Sequence, residues 1–551
     1  MIISGARIVI EQLNAHGVTT VFGYPGGQVL PLYDELYKNA DRINHILTAH
    51  EQGAAHAADG YARVSGKTGV VIATSGPGAT NLVTGIANAY LDSVPMVAIT
   101  GNVSSPMLGK DSFQEVDIIG ITLPIVKHNF VVRDVTKLEH TLSEAFHIAN
   151  SNRKGPVLVD IPKSVQEECC EYIGTQPDCK ISRTHAFDIE RAVEAIKSCK
   201  RPFIYAGGGI LASGAESALF ELSKRLSAPV GFSMMGLTAL PDSYELNLGM
   251  CGMHGKYAAS KAQAECDLMI ALGVRFSDRA TGDTEKFRQG RVIIHIDIDL
   301  AEIGKNVFSH INICGDAGDV LSELLKALPQ IHNDEWLTRI EELKQADKKP
   351  QNNDFTPRNI IETVNRRMSS DTVIATDVGQ HQLWTMQFYK FENPRTLLTS
   401  GGLGAMGYGL GAAIGGCIAN GMRQTVLFTS DGSFGMNANE LATAVTQELP
   451  IVIVILNNGV LGMVRQWQDM FYDRRYSQTT LNRKTDFAAL AGAFGAVGYC
   501  AENLPQLEKI LAQLPARLPA VIDCRIDMDE KVLPMIPPGG SVKDIIVKEW
   551  L

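Results

Sequence analysis

Short apolar runs rich in β-branched residues alternate with stretches of helical periodicity from one end of this chain to the other. No other feature of the sequence restricts its fold as much. The runs are Gly69 to Ala73, Pro95 to Thr100, Pro156 to Asp160, Pro202 to Ala206, Asp267 to Leu272, Val292 to Asp297, Thr372 to Thr376, Thr425 to Thr429, Pro450 to Leu456 and Ala520 to Cys524. Each reads as a buried strand, and the cadence predicts an α/β fold of doubly wound domains, with parallel sheets covered by helices on both faces. At 551 residues the chain is too long for one core, and three domains are the natural division. Composition changes at a polar, cysteine-containing stretch from Ser164 to Arg183, and again from His332 to Thr356, where QADKKPQNNDF reads as an exposed linker. The expected domains are therefore 1–165, 185–330 and 355–551. No short tandem repeat or low-complexity segment is present.

Composition narrows the function classes. No apolar run approaches the roughly 20 residues that span a bilayer. Arg7 and Glu11 place the N-terminal segment on a helix rather than in a signal peptide, so a cytoplasmic location is expected. The ten cysteines are scattered without a CxxC pair, which argues against zinc and for reduced, mostly buried thiols. A net charge of −10 without a long basic run gives no reason to expect nucleic acid or an anionic membrane as partner.

Two segments carry candidate chemistry. SDGSF, Ser430 to Phe434, follows the run Thr425 to Thr429. The next segment, Asn437 to Gln447, has helical periodicity, and the run Pro450 to Leu456 then delivers Asn457 and Asn458 to the same sheet edge. One carboxylate and one amide oxygen suit magnesium, which keeps water and phosphate oxygens in its shell. Gly432 and Ser433 open a helix whose free N–H groups favour phosphate. Taken alone, the segment is equally an ordinary turn rich in Asp, Gly and Asn. The second segment, AHEQGAAHAADGYAR, opens an Ala-rich helix at Glu51, and by itself such a Glu is most often a solvated residue favoured by the helix dipole.

Together with DVGQHQ and SGGLGAMGYGL, these strings resemble the thiamine-diphosphate enzymes. The resemblance implies that Glu51 hydrogen-bonds the cofactor's aminopyrimidine, a role that needs a sheltered carboxyl of raised pKa. It implies diphosphate contacts from Gln380, His381, Gly432 and Ser433. The Gly404 carbonyl would receive the pyrimidine amino group, Met406 would wedge the cofactor into its bent form, and Asp431, Asn458 and the Val460 carbonyl would bind Mg2+. Ser430 stands where the family usually has Gly, and it fits unless the backbone there needs a positive φ. Gly435 and Val460 replace the larger side chains usual at their positions.

Further strings, among them FGYPGG, TSGPGATN, SFQEVDIIGIT, GPVLVDIPKSVQ, GMCGMHG, RFSDRATG, LGMVRQWQ and PMIPPGG, resemble the catalytic subunit of acetohydroxyacid synthases over essentially the whole chain. That resemblance implies decarboxylation of pyruvate on thiamine diphosphate and ligation of the two-carbon unit to a second pyruvate or to 2-ketobutyrate, on the way to branched-chain amino acids. By position, Gln114 and Lys163 would line the substrate funnel, with Phe113 beside the methyl of the first keto acid. Arg279 would fork onto the carboxylate of the second. Trp467 would favour an ethyl group on that acceptor, and Met463 would pack the cofactor side. The middle domain would hold FAD in a structural role, through Gly207, Gly208, Gly209, Met253, His254, Arg275 and Asp297, although Ser277 stands where the family commonly has Asp. The resemblance further implies a homodimer or homotetramer, with Glu51 of one chain facing Asp431 of another, and a separate small regulatory subunit. The rival readings are a pyruvate oxidase, a catabolic acetolactate synthase, another keto-acid decarboxylase, or a non-catalytic paralogue. Arg279 and Trp467 discriminate, because a simple decarboxylase needs no site for an acceptor carboxylate.

Overall fold

The structure, a computed structural model, describes residues 1–174, 189–347 and 353–547. Its core is three sheets of six strands each, with every neighbouring pair parallel. All ten apolar runs are strands in them. The first sheet runs, edge to edge, Asn44–Leu47, Thr20–Tyr24, Gly69–Ala73, Met96–Asn102, Pro156–Pro162 and His128–Val131. Counted from the N-terminus, that order is second, first, third, fourth, sixth, fifth. The last sheet, Leu397–Leu398, Val373–Thr376, Thr425–Thr429, Ile451–Asn457, Ala520–Arg525 and Val497–Ala501, has the same order. The middle sheet, Asn247–Met250, Val230–Phe232, Pro202–Ala206, Leu268–Leu272, Val292–Asp297 and Ile311–Cys314, has the order third, second, first, fourth, fifth, sixth, which is the dinucleotide-binding arrangement.

Four expectations need correction. The stretch from His332 is not simply a linker: Asp334–Ala346 is a helix that buries Trp336, Ile340 and Leu343 in the middle domain, and residues 348–352 lie outside the described residues. Similarly, Cys169–Glu171 pairs antiparallel with Ile2–Ser4, while 175–188 lie outside the described residues. The thiols are not mostly buried: of the nine described cysteines, Cys251, Cys266, Cys417 and Cys524 are buried, and none of the nine is in a disulfide. The helical stretch after SDGSF is broken into a helix Asp431–Asn437, a 3-10 turn Ala438–Glu440 and a helix Leu441–Thr446. Among the described residues no helix is long and apolar enough to cross a membrane.

The first and last domains meet through two helices, Glu51–Ser65 and Tyr408–Ala419, whose facing sides carry almost no side chain. A Cβ on Gly60 would lie 2.2 Å from the Ala412 carbonyl oxygen, and one on Gly415 would lie 1.8 Å from that of Ala57. Buried polar groups flank this contact. Arg63 pairs with Asp59 at 2.6 Å and with Asp92 at 2.9 Å, and the Tyr408 hydroxyl donates to Asp59 at 2.7 Å. A buried guanidinium between two carboxylates satisfies groups that would otherwise be costly to desolvate.

Three stability predictions follow from the fold. Gly415→Ala should destabilise the protein by about 3 kcal/mol or more in urea unfolding, because backbone must move. Gly492→Ala, in helix Phe487–Phe494 with nothing near the added Cβ, should instead stabilise by about 0.5–1 kcal/mol. Asp160, at the end of a central strand, accepts from Thr100 and Asn102, yet burial pushes its carboxyl up to about 6. Its folded pKa lies above the unfolded value, so its contribution is complete below pH about 4 and is lost as pH rises through about 6. Wild type should therefore lose about 2–3 kcal/mol relative to Asp160→Asn between pH 4 and 7.5, read from paired denaturation curves.

Candidate active site

In parallel sheets the residues that work lie past the carboxyl ends of strands. The last domain follows this rule closely. Strand Val373–Thr376 leads to Asp377, Gln380 and His381; Leu397–Leu398 to Gly404 and Met406; Thr425–Thr429 to Asp431, Gly432 and Ser433; and Ile451–Asn457 to Asn458, Val460 and Met463. Ser430 has φ −126°, so its position makes no demand for glycine, and its hydroxyl caps the helix by accepting from the Ser433 N–H. The Ser433 hydroxyl donates to the Val378 carbonyl at 3.1 Å. The buried Asp377 anchors the edge, accepting from the Gly409 N–H at 2.8 Å and the Thr429 hydroxyl at 2.7 Å. Gln380 is held by Asn458, Gln466 and the Glu530 carbonyl, and its oxygen fills the space beside Gly462. Met406 Cε lies 3.9 Å from where a Cβ on Gly432 would be.

Two buried polar atoms at this edge lack a partner: Asp431 Oδ1 and His381 Nε2. Burial pushes the Asp431 carboxyl up to about 6, with Asp523 adding to the rise, and pushes the His381 imidazole down to about 3. A carboxylate oxygen and a ring nitrogen left unpaired at one sheet edge fit a cation and a phosphate respectively. Val460 is buried, and its N–H bonds the Asn458 side-chain oxygen.

The first domain carries the second group. Glu51 opens its helix and is nearly buried; Asn81 donates to its Oε2 at 2.9 Å, and Gly78 leaves room beside Oε1. Gln114 has φ +61° and lies against Gly76, where a Cβ would come within 2.8 Å of the Gln114 carbonyl oxygen. Gly76, itself at φ +60°, is therefore required as glycine. Phe113 beside it is 84% exposed. Lys163 begins a short helix directly after strand Pro156–Pro162. The hydrogen-bond partners of Glu51 and of Asp431's neighbours stay within their own domains.

A third group joins the middle and last domains. The Arg279 guanidinium, 64% exposed, lies 5.5 Å from the Trp467 ring centroid, and Trp467 Nε1 is buried without a partner. The C-terminal segment packs beside them. Val532 exchanges hydrogen bonds with Gln466, Lys531 pairs with Asp469, and the Ile536 N–H bonds the Met253 carbonyl. His254 is buried there as well, its carbonyl accepting from Gln387, and burial pushes its ring down to about 4.

A cavity of about 1060 Å³ opens between all three domains. Gly208, Gly209, Arg275 and Asp297 line it; Gly207, Met253 and His254 do not. Gly207 instead closes the wall, since a Cβ there would lie 2.2 Å from the Gly273 carbonyl oxygen. Burial pushes Asp297 up to about 6. Sequence reasoning missed the cavity's other walls. Asp92 reaches in from the first domain and accepts from the N–H groups of Gly401 and Gly402, which also line the cavity. Nothing local marks Asp92, whereas Asn81 and Asp377 sat inside recognised strings without a role.

Comparison with known proteins agrees with this geometry. Three family models match in order: the thiamine pyrophosphate enzyme N-terminal TPP binding domain over residues 3–121, the central domain over 189–324, and the C-terminal TPP binding domain over 377–524. The probable acetolactate synthase large subunit of Methanocaldococcus jannaschii is 44% identical, covering 98% of this chain and 95% of the relative. The acetolactate synthase large subunit of Corynebacterium glutamicum is 44% identical over 98% of this chain and 90% of the relative. The acetolactate synthase isozyme 2 large subunit of Escherichia coli is 44% identical over 99% and 100%. The chain belongs to the thiamine pyrophosphate enzymes and, within them, to the acetolactate synthase large-subunit family.

Proposed function

We propose that this protein is the catalytic subunit of an acetolactate synthase, decarboxylating pyruvate and joining the two-carbon unit to a second pyruvate or to 2-ketobutyrate. The observation that carries the proposal is Arg279 held 5.5 Å from the Trp467 ring centroid: a cation for an acceptor carboxylate beside a bulky ring for its alkyl group, a pair that a plain decarboxylase does not need. Thiamine diphosphate supplies the nucleophilic carbon and the electron sink.

The chain's residues do the rest. Glu51, oriented by Asn81, would present its other carboxyl oxygen to the aminopyrimidine ring. The unpaired Asp431 oxygen, with Asn458 and the Val460 carbonyl, suits Mg2+, and Gln380, His381, Gly432 and Ser433 suit the diphosphate. Gly404 and Met406 would take the pyrimidine side, with Met463 packed beside it. Gln114, Phe113 and Lys163 lie at the edge nearest Glu51 and would admit the first keto acid. The guanidinium of Arg279 forks onto the acceptor carboxylate, and Trp467 selects its alkyl group. The tail across helix Gly462–Phe471 keeps water from the reacting carbon.

The cavity fits FAD by size and by its glycine-lined wall; Gly208, Gly209, Arg275 and Asp297 would contact it, whereas Gly207, Met253 and His254 do not line the cavity. The flavin is structural in this reading, since the reaction has no net redox change. A homodimer or homotetramer is supported by two sets of exposed apolar side chains. One set, Met107, Phe113, Ile121 and Leu123, lies near Gln114 in the chain; the other, Leu403, Met436, Phe471 and Tyr472, includes close chain neighbours of Met406 and Trp467. The name large subunit, carried by several relatives, supports a smaller regulatory partner. Free thiols fit a cytoplasmic location.

Product analysis of the purified protein with pyruvate, 2-ketobutyrate, thiamine diphosphate and magnesium should give acetohydroxyacids only when FAD is added, from a species that sediments as a dimer or larger. Acetaldehyde alone, acetate with oxygen uptake, or full activity in a monomer would count against the reading. Trp467→Leu should lower the preference for 2-ketobutyrate over pyruvate about tenfold in competition, the scale of one methylene in an apolar pocket.

A further inference from the structure

Glu440 belongs to the last domain, in the turn Ala438–Glu440 directly after the Asp431–Asn437 helix, and it is wholly buried. Its carboxylate faces the first domain. Oε1 accepts the N–H of His50 at 2.9 Å, and Oε2 accepts the N–H of Ala49 at 3.2 Å and the Thr443 hydroxyl at 2.7 Å. Gly53 makes room for it, since a Cβ there would lie 2.1 Å from Oε1.

The two amides it binds belong to the turn that carries Glu51. Only Thr48, Ala49 and His50 separate strand Asn44–Leu47 from the helix that Glu51 opens. The Thr48 N–H bonds the Gly23 carbonyl, so all three backbone donors of the turn are fixed, two of them by one carboxylate from another domain. Charge-assisted bonds at a helix N-terminus are strong and directional, and their strength grows in a buried setting. Thr443 fixes the carboxylate in turn.

We propose that Glu440 is a positioning residue for Glu51: it docks the metal-bearing segment of the chain onto the turn that aims the Glu51 carboxylate. The proposal rests on the reading of Glu51 as the group that works on thiamine diphosphate. Glu440→Gln keeps the shape but turns an amide N–H2 toward one of two backbone donors. Misplacing a reacting group by about an ångström can cost about a hundredfold in rate.

The test uses full-length holoenzyme with Glu440→Gln, Thr443→Val and Glu51→Gln. Deuterium exchange at the thiazolium C2 of bound thiamine diphosphate is followed by acid quench and NMR without pyruvate, alongside thiamine diphosphate Kd, pyruvate KM and kcat. Glu440→Gln should bind the cofactor within about twofold of wild type and hold KM within about threefold, while exchange and kcat fall by at least about tenfold. Thr443→Val should move the same two quantities in the same direction by less. If Glu51→Gln is slow but Glu440→Gln and Thr443→Val both exchange like wild type, the positioning role is overturned. It is also overturned if cofactor affinity falls in step with exchange. If Glu51→Gln itself exchanges like wild type, the thiamine role of Glu51 falls, and the positioning role with it.

Discussion

The close approach of helices Glu51–Ser65 and Tyr408–Ala419 is the constraint on which the rest depends. Glycine and alanine along both facing sides let backbone rest on backbone, with no long side chain to absorb a shift. The relation between the first and last domains is thereby fixed to a fraction of an ångström. Everything placed across that boundary inherits the precision. The Asp59, Arg63, Asp92 and Tyr408 cluster closes one flank, and Glu440 closes the other against the turn before Glu51.

Around this joint, the middle and last sheets turn carboxyl edges toward a shared cavity, while the first domain meets it with the segments that precede its strands Met96–Asn102, His128–Val131 and Pro156–Pro162. The cavity of the middle domain is walled partly by the other two domains. Asp92 contributes to that wall while holding Gly401 and Gly402, which lead directly to Gly404 and Met406. The middle domain is joined to the last by other bonds, from Gln387 to the His254 carbonyl and from the Ile536 N–H to the Met253 carbonyl.

Much of this was legible in the sequence, for a physical reason. The ten recognised strands hold interior places in their sheets, where both faces are covered and most positions are apolar; two other interior strands, Thr20–Tyr24 and the three-residue Val230–Phe232, were not recognised. The six edge strands, Asn44–Leu47, His128–Val131, Asn247–Met250, Ile311–Cys314, Leu397–Leu398 and Val497–Ala501, were not among the ten. Most of these have exposed or half-exposed positions that dilute the apolar run, and Leu397–Leu398 is only two residues long. Site strings were readable because glycine, Asp and Asn cluster where strand ends meet a ligand. Residues that orient others across the fold were not. Asp92 touches Gly402 and Glu440 touches His50 only after the domains have packed, and neither residue is locally unusual. Ser430 posed the opposite case, a local oddity that an extended φ and a capping bond make ordinary.

The first and last sheets share one strand order, and the two packed helices occupy the same place in each, between the second strand in sequence and the third. The partners in that tight contact are therefore counterparts, and the contact is self-matching, as an interface about a rotation axis is. A single chain thus carries an approximate dyad in its own interior. No repeat in the residues announces it, because the symmetry lies in the path of the backbone and in the small size of what lines it.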